Sequence, residues 1–224
     1  MIYQHKEGVN FKKASLSDLS LLTDMKNESW WGTHKSLIVN EDDQRKWFEN
    51  LTDTSLFMIG YHENEVFGVA TYTNIDYVTR SLDISGIALK SARTKSPYVS
   101  FAGFKAGVDF AFEILNMNRL NAEVLETNLA ALKIDTSILG FQCEGRKRQA
   151  AYKCGQYYDS IMLGLLREDW GKQSRIVSYK GSCNLNFDVE IAQRSAVIAD
   201  KLTLNSILPL AITHSLRLSK CPKY

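Results

Sequence analysis

The sequence predicts a mixed α/β fold, in which a central mixed β-sheet is flanked by helices and followed by a C-terminal extension. Strand-like segments come first as a run and are later separated by helices, in the order β-α-α-β-β-β-α-β-α-β-β through Trp170. The longest apolar stripe at helical spacing lies in the middle of this order, and two pairs of segments indicate hairpins. A meander of strands that later alternates with helices is typical of a mixed sheet with helices on both faces.

The first elements are defined by signals at their ends. Val9–Ala14 indicates a short strand, and Ser15 is a candidate N-cap for a helix that runs through Met25. Asn40 is placed to cap a second, polar helix, and the acidic residues of its first turn suit the helix dipole. Trp47 supplies part of the apolar face of this second helix.

The central part of the chain contains a hairpin, a third strand and the strongest helix. Leu56–Tyr61 and Val66–Tyr72 are joined by a short polar turn and predict a hairpin, and Leu82–Leu89 follows as a further strand. The apolar stripe of the next helix consists of Phe101, Phe104, Val108, Ala111, Phe112 and Leu115. The opposite, polar face carries Lys105, Asp109 and Glu113 at four-residue steps.

The closing half alternates strand and helix again. Leu120, Ala122 and Val124 alternate with Asn121 and Glu123, which indicates a strand.

The next helix and the last hairpin follow from their capping and turn residues. Asn128 can cap the helix, and Gly140 ends it. Phe141–Lys153 and Tyr157–Leu166 then predict a hairpin across a short Cys-Gly-Gln turn.

Composition excludes several classes of function. The 224 residues are 45% hydrophobic and 23% charged, and a formal net charge of +2 gives no reason to expect a nucleic acid or a membrane as partner. No apolar run reaches the ~18–20 residues that a spanning helix needs. The first residues contain no secretory signal, so we expect a cytoplasmic protein. The four cysteines include no Cys-x-x-Cys pair, and we expect no metal site.

The chain divides into a main domain over residues 1–170 and an extension over residues 171–224. A helix is expected in the extension, because several apolar positions share one helical face: Val189, Ala192, Ala196 and Ala199. We expect the extension to pack on the main domain or on a partner, and a homodimer is left open.

Short motifs in the second half follow the order of one enzyme superfamily. They are Asn-x-x-Ala from Asn128, Leu139-Gly-Phe141, Glu144-Gly-Arg146 and Tyr152-Lys-Cys-Gly-Gln-Tyr157. With them, the region from about Val9 to Trp170 resembles the GNAT superfamily of acetyl-CoA-dependent N-acyltransferases. The resemblance is to the branch with ribosomal-protein N-terminal, spermidine and nucleotide-linked amino-sugar acetyltransferases. It implies the mixed sheet, acetyl-CoA as acyl donor and an amine as acceptor.

The resemblance also implies where the acyl donor binds. In the family, one strand pairs its backbone with the pantetheine arm. The next loop and helix N-terminus hold the pyrophosphate with N–H groups, which the helix dipole favours. The positions of this chain that match are Ile87, Ala88, Leu89, Lys95, Ser96, Tyr98, Val99, Ser100 and, in the later helix, Asn128.

This segment departs from the glycine-rich loop of the family. Tyr98 would not tolerate a positive φ at a position where the family has glycine. Ser96, Ser100, Gly103 and Gly107 form a stripe of small residues, which suits either the approach of a ligand or tight packing of the helix on the sheet.

Acetyl transfer to an amine requires that the amine lose a proton, that the thioester carbonyl be polarised and that the leaving thiolate be protonated. The resemblance places Asp83 on the cofactor-facing strand, where we expect it to act as base or as anchor for the acceptor amine. A solvated acid on the strand is the alternative reading of Asp83.

The proton donor for the thiolate is less defined. The family usually has a tyrosine shortly before Leu-Gly-Phe, which this sequence lacks, and the segment that ends there is one residue longer than the common form. The candidates are Asp135 or Thr136 in this helix, Tyr157 or Tyr158 in the final hairpin, and solvent.

The acceptor side of the family is formed by the first two helices and the final hairpin. Trp30 and Trp31 are expected to stack on a sugar or base of the substrate, and His34 in the same loop is the third candidate substrate-binding residue. The alternative for Trp30 and Trp31 is an aromatic pair that caps the core, and the alternative for His34 is a histidine with a packing role. Arg146-Lys-Arg148 would meet a phosphate or lie solvated on a strand.

We therefore expect a small-molecule amine, favour a nucleotide-linked amino sugar and rank a protein N-terminus or another small amine next. A polyamine would call for a dense acidic cluster, and none occurs beyond Glu41-Asp-Asp43. The competing hypothesis is a non-catalytic GNAT-like module that binds CoA or a partner.

Overall fold

The computed structural model describes residues 2–6, 8–34, 37–38, 40–88 and 97–170, with backbone alone at Ile87, Ala88 and Pro97. The chain forms two compact units. The first consists of Met1–Trp30 and Lys35–Leu120, and the second of Trp31–His34 and the chain from Asn121 onward. The predicted extension over residues 171–224 lies outside the described residues.

The first unit contains a five-stranded antiparallel meander. Its strands are β1 (Ile2–Gln4), β2 (Asn10–Lys13), β3 (Leu56–His62), β4 (Glu65–Asp76) and β5 (Ser81–Ala88). Each strand pairs with the next one in sequence, so the strand order equals the chain order. The turn between β3 and β4 has Glu63 and Asn64 at φ of 49° and 68°, as a tight hairpin requires. β1 was not predicted from the sequence.

The helices among the described residues of this unit are α1 (Leu19–Glu28), α2 (Glu41–Glu49) and α3 (Pro97–Asp109). Asn40 caps α2 as predicted, whereas Ser15 precedes a 3₁₀ turn (Leu16–Asp18) and Asp18 occupies the N-cap position of α1. The backbone N–H of Ser15 donates to Asp18 Oδ2 at 2.9 Å, ahead of the 3₁₀ turn that leads into α1. Asn40 Oδ1 accepts from the N–H of Asp42 at 3.0 Å at the start of α2.

α1 and α2 cover one hydrophobic cluster of this unit. Leu22 and Met25 of α1 pack with Phe57, Ile59 and Val69 of the sheet. The aromatic face of α2 lies against the same cluster, where the ring of Trp47 meets that of Phe57 edge-on at 5.2 Å. Burial of these apolar side chains is the main force that holds the two helices on the sheet.

α3 packs against β4 through glycines. A bulge between β3 and β4 leaves Phe67 without a ladder partner, and its ring lies over Gly103. A Cβ at Gly103 would come within 2.2 Å of that ring. One turn further on, the hydroxyl of Tyr72 donates to the carbonyl of Gly107 at 2.9 Å. Of the two readings of the small-residue stripe, Gly103 and Gly107 therefore support tight packing.

The polar face expected on α3 is partly buried. Asp109 is 3% exposed, and its carboxylate contacts His5 Nε2 and Lys105 Nζ, each at 2.8 Å. The expectation of a polar face is wrong at Asp109, because β1 and the turn after it bring His5 against this helix. After Asp109 the helix widens into a π-turn, Phe110–Ile114.

The part of the second unit up to residue 170 contains three strands and a short helix. The elements are β6 (Arg119–Leu125), α4 (Leu129–Lys133), a π-turn (Ile134–Ile138), β7 (Gln142–Lys153) and β8 (Gln156–Leu166). β8 lies between β6 and β7. Cys154 and Gly155 form the β7–β8 turn with φ of 50° and 81°, and Gly140, at φ 80°, follows the helix as predicted.

The Glu-Gly-Arg motif has a structural role in this unit. Arg146 donates to Asp159 Oδ2 through Nε at 2.6 Å and also contacts the carboxylate of Glu126. Asp159 in turn accepts the N–H of Gln149 at 2.8 Å, which satisfies the backbone at an irregularity of β7. The side chain of Arg146 on β7 thus links Asp159 on β8 with Glu126, which directly follows β6.

The predicted mixed α/β class is confirmed, and the order of elements from β2 to β8 is as expected. No helix among the described residues has the length and apolar character to cross a membrane.

Candidate active site

The segment implied to bind the acyl donor lies partly within the described residues. Leu89, Lys95 and Ser96 lie outside them, and at Ile87 and Ala88 the structure gives the backbone of β5. α3 begins at Pro97, a residue favoured at the first helical position because its missing N–H has no intrahelical acceptor there.

Tyr98 adopts helical backbone and does not have a positive φ. The difficulty expected for a tyrosine in a glycine-rich loop is therefore absent at this position. Its side chain is 44% exposed, while Val99 beside it is buried.

The surroundings of Ser100 indicate whether the start of α3 could bind a polar ligand. Ser100 is 5% exposed, and its Oγ is buried without a hydrogen-bond partner among the described residues. A buried hydroxyl costs free energy unless a partner satisfies it. The N–H groups of the first helical turn also lack intrahelical acceptors. Together they fit the phosphates of a CoA molecule.

Asp83 lies in β5 opposite Thr73 of β4. Its Oδ2 accepts a hydrogen bond from Asn74 Nδ2 at 2.7 Å, on the strand face opposite the buried Leu82. The predicted base is thus a partly exposed carboxylate tied to the neighbouring strand.

The aromatic loop after α1 is held by the later helix. Trp30 belongs to the first unit, whereas Trp31 and Gly32 belong to the second, and all are half-buried. Asn128 Oδ1 accepts the N–H of Ala131 at 3.3 Å and so caps α4, as predicted. Its Nδ2 donates to the carbonyl of Gly32 at 3.3 Å. Both described side-chain hydrogen bonds of Asn128 thus have a structural role, in the cap of α4 and in its contact with the loop.

His34 faces a carboxylate that the sequence did not single out. Its Nε2 lies 3.3 Å from Oε1 of Glu123 on β6. The same oxygen accepts from the hydroxyl of Ser160 on β8 and lies 3.6 Å from Lys147 Nζ on β7. Two strands and the Trp31–His34 segment thus place three polar side chains around one oxygen of Glu123 on β6. We call these four residues the Glu123 cluster: His34, Glu123, Lys147 and Ser160.

The surroundings shift the pKa of both central groups downward. For His34, burial is the largest cause of the lowered pKa. Glu123 opposes it, and the charges of Lys147 and Lys153 add to it. For Glu123, burial acts to raise the pKa, but the hydrogen bond from Ser160 and the charges of His34 and Lys147 outweigh it. At neutral pH the pair is a neutral imidazole beside an ionised carboxylate.

The sequence carried only a weak signal for this cluster. Glu123 is one of the polar residues that alternate along β6, and such a residue is ordinarily a solvated side chain. Lys147 and Ser160 face each other in the β7–β8 register, which the sequence does not specify in advance.

Asp135 lies in the π-turn after α4. The N–H of Leu139 donates to the carbonyl of Ile134 at 3.0 Å, the i to i+5 bond of a π-turn, which accommodates one extra residue in a helix. The longer segment expected before Leu139-Gly-Phe141 takes this form. Burial raises the pKa of the Asp135 carboxyl to about 7. Thr136 donates instead to the carbonyl of Leu132 at 2.7 Å.

Tyr157 lies at the end of the β7–β8 hairpin. It is 62% exposed, and its ring contacts that of Tyr152 at a centroid distance of 4.9 Å. Tyr158 donates to the side chain of Gln156 at 3.3 Å. The contacts described for Tyr157 and Tyr158 are thus with residues of the hairpin itself, and neither is with Asp135, the other candidate proton donor.

The predicted site residues fall into two groups. Asp83, Tyr98, Val99 and Ser100 belong to the first unit, together with Trp30. Trp31, His34, Asn128, Asp135 and Tyr157 belong to the second, where Asn128 binds the carbonyl of Gly32 and His34 lies beside Glu123. Among the described residues, no group of His, Cys, Asp and Glu side chains could hold a metal ion.

Solved structures with the same fold are acetyltransferases. A spermidine N-acetyltransferase from Vibrio cholerae, in complex with CoA and spermine, has a TM-score of 0.67 and 16% identity, covering 73% of this chain and 98% of that one. A variant of that enzyme has a TM-score of 0.66 and 16% identity, with coverage of 76% and 100%. A complex with manganese ions has a TM-score of 0.64 and 17% identity, with coverage of 75% and 98%.

The sequence itself was compared in two ways. Comparison with curated proteins gives no significant match. The family model of the acetyltransferase (GNAT) domain matches residues 16–162, which include α1, the strands from β3 onward, α3 and most of the last hairpin. The chain therefore belongs to the GNAT acetyltransferase family.

Proposed function

We propose that this protein transfers an acetyl group from acetyl-CoA to a primary amine, and that the amine belongs to a nucleotide-linked amino sugar. The observation that carries the proposal is the pair formed by His34 and Glu123, 3.3 Å apart. Acetyl transfer needs a proton acceptor for the amine, and this pair supplies one beside a fixed negative charge.

The two members of the pair take different roles. The Glu123 carboxylate, ionised at neutral pH, binds the acceptor as an ammonium ion and orients the imidazole. His34, whose pKa is lowered by burial, is neutral and takes the proton that the ammonium must lose. The side chain of His34 is 29% exposed, although its Nε2 is buried and has no hydrogen-bond partner among the described residues.

Acetyl-CoA, the acyl donor of this family, supplies the acetyl group as a thioester and leaves as a thiol. The start of α3 is proposed to hold its phosphates through the N–H groups of Tyr98, Val99 and Ser100 and the unsatisfied Ser100 hydroxyl. The backbone at Ile87 and Ala88 is proposed to pair with the pantetheine arm. Asn128 remains a proposed cofactor residue through its position at the N-cap of α4.

Asp135 is proposed as the proton donor that replaces the family's tyrosine. Its pKa of about 7 leaves a large fraction of the carboxyl protonated at neutral pH. No described residue forms a hydrogen bond or ion pair with the carboxyl, so its proton is not committed elsewhere. Tyr157, exposed at the hairpin end, is the second candidate.

The charges around the pair favour an anionic acceptor. Lys147 of the Glu123 cluster and Lys153, which lies outside it, both act on His34, so two ammonium groups influence the pair. A phosphate-bearing amine would compensate the excess positive charge, whereas a polyamine would add to it. Trp31, which belongs to the same unit, is proposed to stack on the base or sugar of the acceptor.

The test is release of free thiol from acetyl-CoA with a panel of amines. The panel contains nucleoside-diphosphate-linked amino sugars, spermidine and a peptide with a free N-terminus. We expect turnover with the amino sugars and a 10-fold or larger loss of kcat in Glu123→Gln. A stronger reaction with spermidine or the peptide would overturn the proposed acceptor.

Asp83→Asn distinguishes the two candidates for the base, which are the His34–Glu123 pair proposed here and Asp83, expected from the resemblance. If Asp83→Asn loses activity while Glu123→Gln retains it, the base lies on β5 and not in the Glu123 cluster. Absence of turnover with every amine, together with no thermal shift on addition of CoA, would instead support a non-catalytic module.

A further inference from the structure

We propose that Ser160 is a positioning residue of the active site, which fixes one oxygen of Glu123 so that the other is left for the acceptor ammonium. This inference rests on the proposed function, because it gives a role to the same carboxylate. Ser160 does not contact the reacting atoms in this scheme and acts through Glu123 alone.

The geometry assigns the two oxygens of Glu123 different surroundings. Oε1 accepts from the Ser160 hydroxyl and lies near His34 Nε2 and Lys147 Nζ, at 3.3 Å and 3.6 Å. All the described contacts of Glu123 are made by Oε1, and Oε2 has no hydrogen-bond partner among the described residues. A carboxylate has about four acceptor sites, so Oε2 can receive an ammonium without loss of the contacts at Oε1.

Ser160 is suited to hold this arrangement because it is buried in a strand with a neighbour on each side. It is 0% exposed and lies in β8, hydrogen-bonded between β6 and β7. Its backbone partner in the ladder is Lys147, so the serine and the lysine project from opposed positions of the hairpin toward Glu123. Lys147 and His34, by contrast, are partly exposed at their side chains.

A buried serine with one hydrogen bond could also be a purely structural residue. The two roles differ in what happens to the carboxylate. A structural serine would change stability alone, whereas a positioning serine also keeps Glu123 ionised, since its hydrogen bond lowers the pKa of that carboxyl.

The experiment compares Ser160→Ala, Ser160→Cys and Ser160→Thr with the wild type. The alanine and cysteine variants lose the strong hydroxyl donor, and cysteine keeps the volume of the site almost unchanged. The threonine variant keeps the hydroxyl. Thr23→Ala, which removes another buried hydroxyl that donates to the carbonyl of Leu19, is the matched control.

Two readouts are measured. The first is the titration midpoint of the Glu123 carboxyl, followed by ¹³C NMR in the protein without acetyl-CoA and assigned with Glu123→Gln. The second is kcat/KM against pH. We expect the midpoint and the acidic limb to move to higher pH in the alanine and cysteine variants, with a roughly 10-fold lower kcat/KM at pH 6. Threonine should restore both, and Thr23→Ala should change neither.

An unchanged Glu123 midpoint in folded Ser160→Cys would overturn this inference. A moved midpoint together with full activity in Glu123→Gln would instead overturn the proposed base and leave the contact between Ser160 and Glu123 established. The NMR readout needs no acceptor, so the two failures remain distinguishable.

Discussion

The ring of Phe67 occupies the space that a side chain at Gly103 would need. A Cβ built at Gly103 lies 2.2 Å from Cε2 of that ring, far inside van der Waals contact. Gly103 is therefore required by the packing of α3 on β4, and the contact links a bulge in the sheet to the helix whose first turn is proposed to hold the cofactor.

Gly103→Ala is expected to destabilise the protein by about 1–3 kcal/mol, the usual cost of an overpacked core. Gly107→Ala is the matched control on the same helix. The nearest atom to its Cβ would be the Tyr72 hydroxyl at 3.5 Å, an ordinary contact. Helix propensity then favours alanine by up to about 1 kcal/mol. Urea unfolding of both variants checks this, and equal effects would contradict it.

Replacement of Lys147 should move the pH dependence of activity. Lys147 lowers the pKa of both His34 and Glu123, so Lys147→Met raises both and the acidic limb of kcat/KM shifts to higher pH. Two charges about 4 Å apart interact by ~1 kcal/mol in water, which implies a roughly two- to five-fold decrease of kcat/KM at pH 5.5. Lys13→Met, at an exposed position of β2, should leave the pH profile of kcat/KM unchanged.

Asp135 makes stability depend on pH. Its folded-state pKa of about 7 exceeds its ordinary value of 3.8, so the folded protein retains a proton that the unfolded chain releases. This contribution is complete below about pH 4 and is lost as the pH rises through about 7. Asp135→Asn has no such loss. The Tm of the variant relative to wild type should therefore be higher at pH 8 than at pH 5, and a constant difference would contradict the raised pKa of this carboxyl.

Arg146→Met should weaken the second unit, because Arg146 contacts the carboxylates of both Glu126 and Asp159. The side chains are partly exposed, so we expect a modest loss of about 1–2 kcal/mol that shrinks at high salt. Arg148→Met is the control, because it removes an arginine from the same strand and leaves both ion pairs of Arg146 in place. Thermal unfolding at low and high salt distinguishes the two variants.

Local signals in the sequence predicted most of the fold. Asn40 and Asn128 cap helices where their positions indicated, and both hairpins form around turns with positive φ. β1 escaped prediction because a strand of three residues has too few alternations to show a period, and its pairing with β2 defines it. Asp109 was expected on a polar face, and only the distant His5 explains its burial.

The candidate site was less accessible from the sequence. Its outline followed from motifs that the family shares, which include Asn128 and the longer segment that contains Asp135. The Glu123 cluster depends on the strand order and on the β7–β8 register, which together bring Lys147 and Ser160 to β6. Strand order and register are tertiary features, and the alternation of polar residues along a single strand does not predict them.

The assignment of Trp31–His34 to the second unit has a consequence for dividing this chain. The segments on either side of these four residues belong to the first unit, so the chain enters the second unit and returns before its main part begins. A gene split after Leu120 would therefore separate the imidazole from its carboxylate partner. Fragments made at that point could complement each other only if the amino-terminal piece contributed His34 in trans.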